Sequence, residues 1–141
     1  MKKILSLLAV LSCTLAIQAQ QADSTVFRAY LYNEEYDVYM RINLYDQDII
    51  ISWQDIYGPL PGFLAKNDYN FCWMITDSKV SGRKAELEMV NDYGSEDLTT
   101  TLTLENDSLY VLRQKKGSAL KVPNKGKWQK LPATLTFKKR K

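Results

Sequence analysis

Tyr36-Asp37-Val38-Tyr39-Met40-Arg41-Ile42-Asn43-Leu44-Tyr45 alternates along its whole length. Tyr36, Val38, Met40, Ile42 and Leu44 fall on one side of an extended chain; Asp37, Tyr39, Arg41, Asn43 and Tyr45 fall on the other. A helix would scatter these apolar residues around its axis, whereas successive side chains of a strand point to opposite faces. The stretch therefore predicts a half-buried strand. The same period recurs at 26–32 on one side and at 48–53, 71–76, 85–90, 98–104, 109–113 and 134–137 on the other. In 98–104, Leu98, Thr100, Leu102 and Leu104 alternate with Thr99, Thr101 and Thr103, and threonine suits an exposed strand face.

Turn-forming residues separate these runs. Asn33-Glu34, Asp46-Gln47, Ser81-Gly82, Asn91-Asp92-Tyr93-Gly94 and Asn106-Asp107 all tolerate tight or left-handed turns. Two connections are longer: 54–69, with Gly58-Pro59-Leu60-Pro61-Gly62, and 115–131, with Gly117, Pro123 and Gly126. Their prolines argue against central-strand pairing, though Phe63-Leu64 could begin a short edge strand. No helical period, internal repeat or low-complexity tract follows residue 20. The expectation is an all-β domain: a small antiparallel meander of about eight strands closed into a barrel, which removes its edges. A two-sheet β-sandwich has the same periodicity and is the alternative.

The amino terminus addresses location. Met1-Lys2-Lys3 is basic, residues 4–17 are almost all apolar, and Gln18-Ala19-Gln20-Gln21 is a polar exit with a small residue. This is the layout of a secretory signal peptide spanning 1–20. Its apolar run is shorter than the ~20 residues of a membrane-crossing helix. Residues 21–141 then form one exported domain, periplasmic or secreted, with no transmembrane segment in the mature chain. Val10-Leu11-Ser12-Cys13 loosely resembles the lipobox of bacterial lipoproteins, which would give a lipid anchor through Cys13. Thr14-Leu15-Ala16-Ile17 continues the apolar run past that cysteine, and ordinary cleavage fits the layout better.

Glu35-Tyr36-Asp37-Val38-Tyr39-Met40-Arg41-Ile42-Asn43-Leu44-Tyr45, Asn91-Asp92-Tyr93-Gly94-Ser95-Glu96-Asp97-Leu98 and Lys127-Trp128-Gln129-Lys130-Leu131-Pro132 resemble stretches of small exported proteins of gut-type Gram-negative bacteria. That group carries no assigned activity. At fold level the chain also looks lipocalin-like (calycin), and this resemblance implies a barrel with a pocket for a small apolar ligand. Lipocalins carry Gly-x-Trp on the first strand, where this chain has Phe27-Arg28-Ala29-Tyr30.

Composition excludes several chemistries. The chain has no histidine, and after cleavage only Cys72 remains. Histidine-based triads, ordinary zinc sites, cysteine clusters and an internal disulfide are thereby removed. Cys72 lies in an apolar run and is expected to be buried rather than reactive. The glycines have no phosphate-loop spacing, and no cofactor is expected. Asp46-Gln47-Asp48 lacks the glycine and distal glutamate of a calcium loop and reads as a turn, so no metal is expected. Paired carboxylates could still hydrolyse a glycoside. The candidates Glu34, Glu35, Asp37 and Asp55 lie at turns or on the solvent face, and the protein is read as not an enzyme.

Two surfaces remain as candidates for binding. On the first two strands, Arg28, Tyr30, Tyr32, Tyr39, Arg41 and Tyr45 can share one face, which would suit a glycan or a protein partner. The same tyrosines could equally support each other as strand formers, or line a pocket. Strand register decides among these readings. The second surface is the basic end. Residues 108–141 contain eleven Lys or Arg and no acid, whereas all sixteen acids precede them. Lys115, Lys116, Lys121, Lys125, Lys127, Trp128 and Lys130 form a candidate patch for an anionic envelope component or a protein, or a solvated face balancing the acidic part. Trp128 could anchor a contact or plug one end of a barrel. Nucleic acid is excluded by compartment. The leading expectation is an exported non-enzymatic binding module; a carrier of a small apolar molecule inside the barrel comes second, and a glycoside-acting enzyme a distant third.

Overall fold

The computed structural model describes residues 25–141. The signal peptide assigned to 1–20, and with it the lipid-anchor reading of Cys13, lies outside the described residues. Ten strands follow in order: β1 (Arg28–Asn33), β2 (Val38–Asn43), β3 (Gly62–Lys66), β4 (Cys72–Ser81), β5 (Lys84–Asn91), β6 (Asp97–Leu104), β7 (Leu109–Gly117), β8 (Lys121–Asn124), β9 (Lys127–Lys130) and β10 (Thr134–Arg140). Eight close into an antiparallel barrel in the order β1-β10-β7-β6-β5-β4-β3-β2, while β8 and β9 pair as a separate hairpin. The sandwich alternative falls because β1 is paired on both sides, with β2 and with β10.

Alternation does what the leading stretch implies. Val38, Met40, Ile42 and Leu44 point into the barrel and are at most 5% exposed, joined by Leu31, Leu64, Trp73, Ile75, Leu87, Met89, Leu102, Leu112 and Phe137. One end is closed by Phe27, whose N–H donates to the Tyr45 hydroxyl at 3.0 Å and whose carbonyl accepts from Leu44 N–H at 3.0 Å. The Tyr110 hydroxyl donates to the Val26 carbonyl at 2.5 Å beside it. The other end is covered by the β8–β9 hairpin, here called the flap. Leu120, Val122 and Leu131 dip from it into the core, and the Trp73 indole N–H donates to the Lys121 carbonyl at 2.8 Å. Trp128, one candidate plug, is instead half exposed on the flap's outer side. Lys125 and Gly126 at the flap turn both have positive φ, the geometry that matches the twist of a tight hairpin.

The strand expected at 48–53 does not form. Only Ile49 bridges to Leu60, and the segment between β2 and β3, here called the overlay, folds back over the outside of the barrel. Ile51 is buried there against Phe63, Ala65, Cys72 and Met74, with Trp53 set edge-on to Phe63 at 5.7 Å. Its period of two therefore reflects a chain lying on a sheet rather than pairing within one. The eighth barrel strand is β3, where the sequence predicts no more than the start of an edge strand. The overlay also explains why Phe71-Cys72-Trp73-Met74-Ile75 is continuously apolar. Trp73 and Ile75 face the barrel interior while Cys72 and Met74 face the outer cluster, so both faces are covered. Cys72 is fully buried as expected, and burial pushes its thiol up to about 12.

Thr99 and Thr101 are another departure, since each is only 5% exposed on the outer face. Long charged neighbours cover them: Thr101 pairs with Glu86 and Arg113, and the Thr99 hydroxyl lies 3.0 Å from a Glu88 carboxylate oxygen. Among the described residues, no helix is long and apolar enough to cross a membrane.

Candidate functional site

The β1–β2 register is Arg28↔Asn43, Tyr30↔Arg41 and Tyr32↔Tyr39, and it puts these side chains on the outer face together. Tyr30 and Tyr39 stack at 5.7 Å with their planes 5° apart. Tyr39 leans edge-on against Phe63 of the outer cluster at 5.8 Å, and burial raises its hydroxyl pKa. The tyrosine pair is thus braced from behind. Arg28 pairs with Asp46 at 3.0 Å, whereas the Arg41 guanidinium has no ion pair or hydrogen bond among the described residues.

Closure adds to this face a group that the first two strands could not supply. β10 pairs with β1 as Tyr30↔Arg140 and Tyr32↔Lys138. The Arg140 guanidinium carbon lies 3.8 Å from the centroid of the Tyr32 ring, a cation–π contact. Arg28, Tyr30, Arg41, Asn43, Lys139 and Arg140 line a shallow groove of about 310 Å³. Four of these six carry positive charge, and Asp46 answers only Arg28. Tyr45 is not part of this face. It turns toward the barrel end, where its hydroxyl accepts from Phe27 N–H.

Tyr32 serves the adjoining turn. Its hydroxyl donates to the Asp37 carboxylate, to which the Asn67 amide also donates at 2.8 Å. The hydrogen bond from Tyr32, then that from Asn67, hold Asp37 below its ordinary pKa. A carboxyl with a depressed folded pKa contributes stability that is full above the unfolded value, about pH 4, and is lost as pH falls through the folded value. Asp37 sits at φ 55°, which asparagine also tolerates. Asp37→Asn is therefore expected to destabilise the protein at neutral pH and to flatten the loss of thermal stability below about pH 4. An acid profile that keeps its slope would show that this carboxylate contributes nothing.

Three of the four carboxylate candidates share the β1–β2 turn. Glu34 and Glu35 are exposed on the β1–β2 turn with Asp37, and Asp55 is exposed on the overlay. Asp46 and Asp48 both accept from the Asn43 amide at 3.2 Å, which accounts for Asp46-Gln47-Asp48 as a turn. Among the described residues, no group of three or more His, Cys, Asp or Glu is placed to hold a metal ion.

The basic candidates separate into three places. Lys115, Lys116 and Lys130 line a depression of about 280 Å³ between β7 and β9. Lys125 and Lys127 stand at the flap turn. Lys121 and Trp128 face a cleft of about 440 Å³ with Phe71, Tyr93 and Glu96. Three of the eleven bases of 108–141 pair with acids from the earlier part of the chain: Lys115 meets Glu86 at 3.6 Å, Arg113 meets Glu105 at 3.1 Å and Lys121 meets Glu96 at 3.1 Å. Folding thus returns part of the basic section to the acidic one, across the neighbouring strands β5, β6 and β7 and where the flap lies beside the β5–β6 turn. Nothing in the sequence around Phe71, Tyr93 or Glu96 marks them for this cleft; Trp128 between lysines is its only local signal.

No family model matches this chain, and neither does any curated protein or solved structure. The closed eight-stranded barrel stands on its own, and no match supports a lipocalin-like relationship or a place in the exported group that the chain resembles.

Proposed function

We propose that this protein is an exported, non-enzymatic binding module whose working surface is the cationic tyrosine face of β10, β1 and β2. Its ligand is polyanionic, either an acidic polysaccharide or the phosphate-bearing surface of an envelope lipid. The observation that carries this reading is the Tyr30↔Arg140 and Tyr30↔Arg41 pairing, which gathers cations from both ends of the chain around one groove. Guanidinium groups present planar paired donors that match carboxylate and phosphate oxygens. The stacked tyrosines offer a firm apolar floor with little side-chain entropy left to lose.

Export rests on the composition of the leader. A carrier of a small apolar molecule is the weaker reading, since Met40, Trp73, Leu87 and Phe137 pack against one another where that cargo would sit. Native mass spectrometry separates the two, because a carrier would retain a bound mass of a few hundred daltons. A glycoside-acting enzyme is weaker again, as Asp37 is already engaged by Tyr32 and Asn67.

Polygalacturonate and vesicles containing phosphatidylglycerol are the two probes. One of them should bind with an affinity that falls steeply between about 50 and 500 mM salt, as exposed charges are screened. Arg41→Gln combined with Arg140→Gln should weaken that binding on the order of 100-fold, about tenfold for each charged contact. Substitution is cleaner than removing residues 138–141, because Lys138, Lys139 and Arg140 pair with β1 and close the barrel. Binding that ignores both salt and the two substitutions would sink the proposal.

A further inference from the structure

We infer that the cleft at the flap end of the barrel is a second binding site, and that it takes a neutral pyranose unit of a glycan. Three rings from three separate segments meet there: Phe71 just before β4, Tyr93 in the β5–β6 turn and Trp128 on β9. Phe71 is the floor, 4% exposed, at 4.9 Å from Trp128 and 5.4 Å from Tyr93. Trp128 and Tyr93 stand at 89° to each other, 6.3 Å apart, and remain 50% and 72% exposed. Two large rings left in water beside a buried one reverse the ordinary arrangement of an aromatic cluster, in which burial is the gain.

Polar groups occupy the rim. The Lys121 ammonium meets the Glu96 carboxylate at 3.1 Å and stands 5.9 Å from the Trp128 ring centroid. Glu96 is held by its turn: the Asn91 side-chain oxygen accepts from the N–H groups of Ser95 at 2.9 Å and Glu96 at 3.3 Å. Lys121 is held through its carbonyl by the Trp73 indole. The Tyr57 hydroxyl donates to the Asp92 carbonyl at 3.3 Å and braces the turn that carries Tyr93. The polar groups are therefore in place before any ligand arrives, which reduces the ordering cost of binding.

This combination fits a sugar ring. A pyranose has a C–H face that lies flat on an aromatic plane and an edge of hydroxyls that both donate and accept. Trp128 supplies the plane, Tyr93 the side wall, the Lys121 ammonium spare donors and the Glu96 carboxylate spare acceptors. Charge selects the kind of sugar. Lys121 and Glu96 cancel each other, so an acidic unit would meet Glu96 with nothing in surplus to attract it. The groove at Arg41 and Arg140 has the opposite character. The cleft's size, about 440 Å³, lies within the ~300–1,000 Å³ of small-ligand sites.

The test is calorimetry on residues 21–141 with hexasaccharides of β-1,4-glucan, β-1,4-xylan, β-1,4-mannan and chitin, each up to about 10 mM. At least one should bind saturably, with an affinity unchanged between about 50 and 500 mM salt because no net charge is involved. Trp128→Ala should weaken it more than about tenfold, since a stacked aromatic platform is lost. Tyr93→Ala lies on a different turn and should also weaken it, which guards against a local defect in the flap. Trp128→Phe should restore part of the affinity. The Arg41→Gln, Arg140→Gln variant should bind the sugar as the unsubstituted protein does, so this inference can fail without the anion-binding proposal failing, and the reverse. Absence of binding across the panel would overturn it, as would binding that survives Trp128→Ala or disappears with Arg41 and Arg140. A protein partner lost on Trp128→Ala, with no sugar bound, would reassign the cleft to protein docking.

Discussion

Trp73→Ala is expected to lower the unfolding free energy by about 3–5 kcal/mol, the usual cost of emptying a buried aromatic position. Trp73 is fully buried and is the largest side chain of the barrel interior. Its removal leaves a cavity between β4 and the flap that neighbours on a closed sheet can refill only in part. It also leaves the Lys121 carbonyl without its indole donor. For a domain of this size the fall in Tm should be on the order of 10–20 °C. Trp73→Phe separates the two effects, keeping much of the volume while deleting a hydrogen bond with a net value of about 1 kcal/mol. Thermal unfolding of the three proteins measures the series, and hydrogen exchange should show the flap opening first. Equal stability of Trp73→Ala and the unsubstituted protein would mean that the flap is not fastened to the core through this residue.

Gly62→Ala is the second large effect. Gly62 opens β3 opposite Ile42, where the chain returns from the overlay, and a Cβ there would lie 2.4 Å from the Arg41 carbonyl oxygen and 2.8 Å from the Ile42 Cγ2. Neither contact can be relieved by swinging a flexible side chain away, because one partner is backbone and the other is a branched residue buried in the core. β2 and β3 must separate or shift, at a cost of about 2–4 kcal/mol, at or above the upper end of ordinary overpacking. Gly82→Ala is the control. Gly82 lies in the β4–β5 turn at φ 59°, and a methyl group added there would have nothing within 4 Å, so its substitution carries only the left-handed backbone penalty of about 1–2 kcal/mol. Urea unfolding should therefore rank Gly62→Ala well below Gly82→Ala in stability. The opposite ranking would show that close approach of β2 and β3 is not a constraint.

The strands legible in the sequence are those whose alternation is answered by a partner on each side. β1, β2, β4, β5, β6, β7 and β10 begin within two residues of their expected positions, since burial of every second residue is a local pattern. The error at 48–53 has the same source. Ile51 is buried and its neighbours are not, whether the apolar surface beneath is the inside of a sheet or the outside of one. β8 escapes sequence reading because Pro123 argues against a central strand, and the flap is not central. It is a two-stranded hairpin held by Val122, Leu120 and Leu131.

Of the binding candidates, Arg28, Tyr30, Tyr32, Tyr39 and Arg41 could be placed on one face from parity alone, and they lie on it. Parity puts Tyr45 on the same face, and there it fails, because the strand ends at Asn43 and Tyr45 turns toward the barrel end in the turn that follows. Lys138, Lys139 and Arg140 group with the other basic residues along the chain, yet β10 carries them to β1. The lysines between 115 and 130 form one run in sequence and are distributed over a depression, a turn and a cleft.

By itself, then, the sequence determined the secondary-structure class, the absence of histidine chemistry and which residues could share a face within one strand or hairpin. Each depends on composition or on neighbours a few positions apart. Only the tertiary structure decided which faces meet. Arg140 joins Tyr30 because the first and last strands must pair when the ring closes, and Trp128 joins Phe71 and Tyr93 because the flap folds over one barrel end. Those contacts arise from burying the barrel interior as a whole, and nothing in the residues around either partner encodes them.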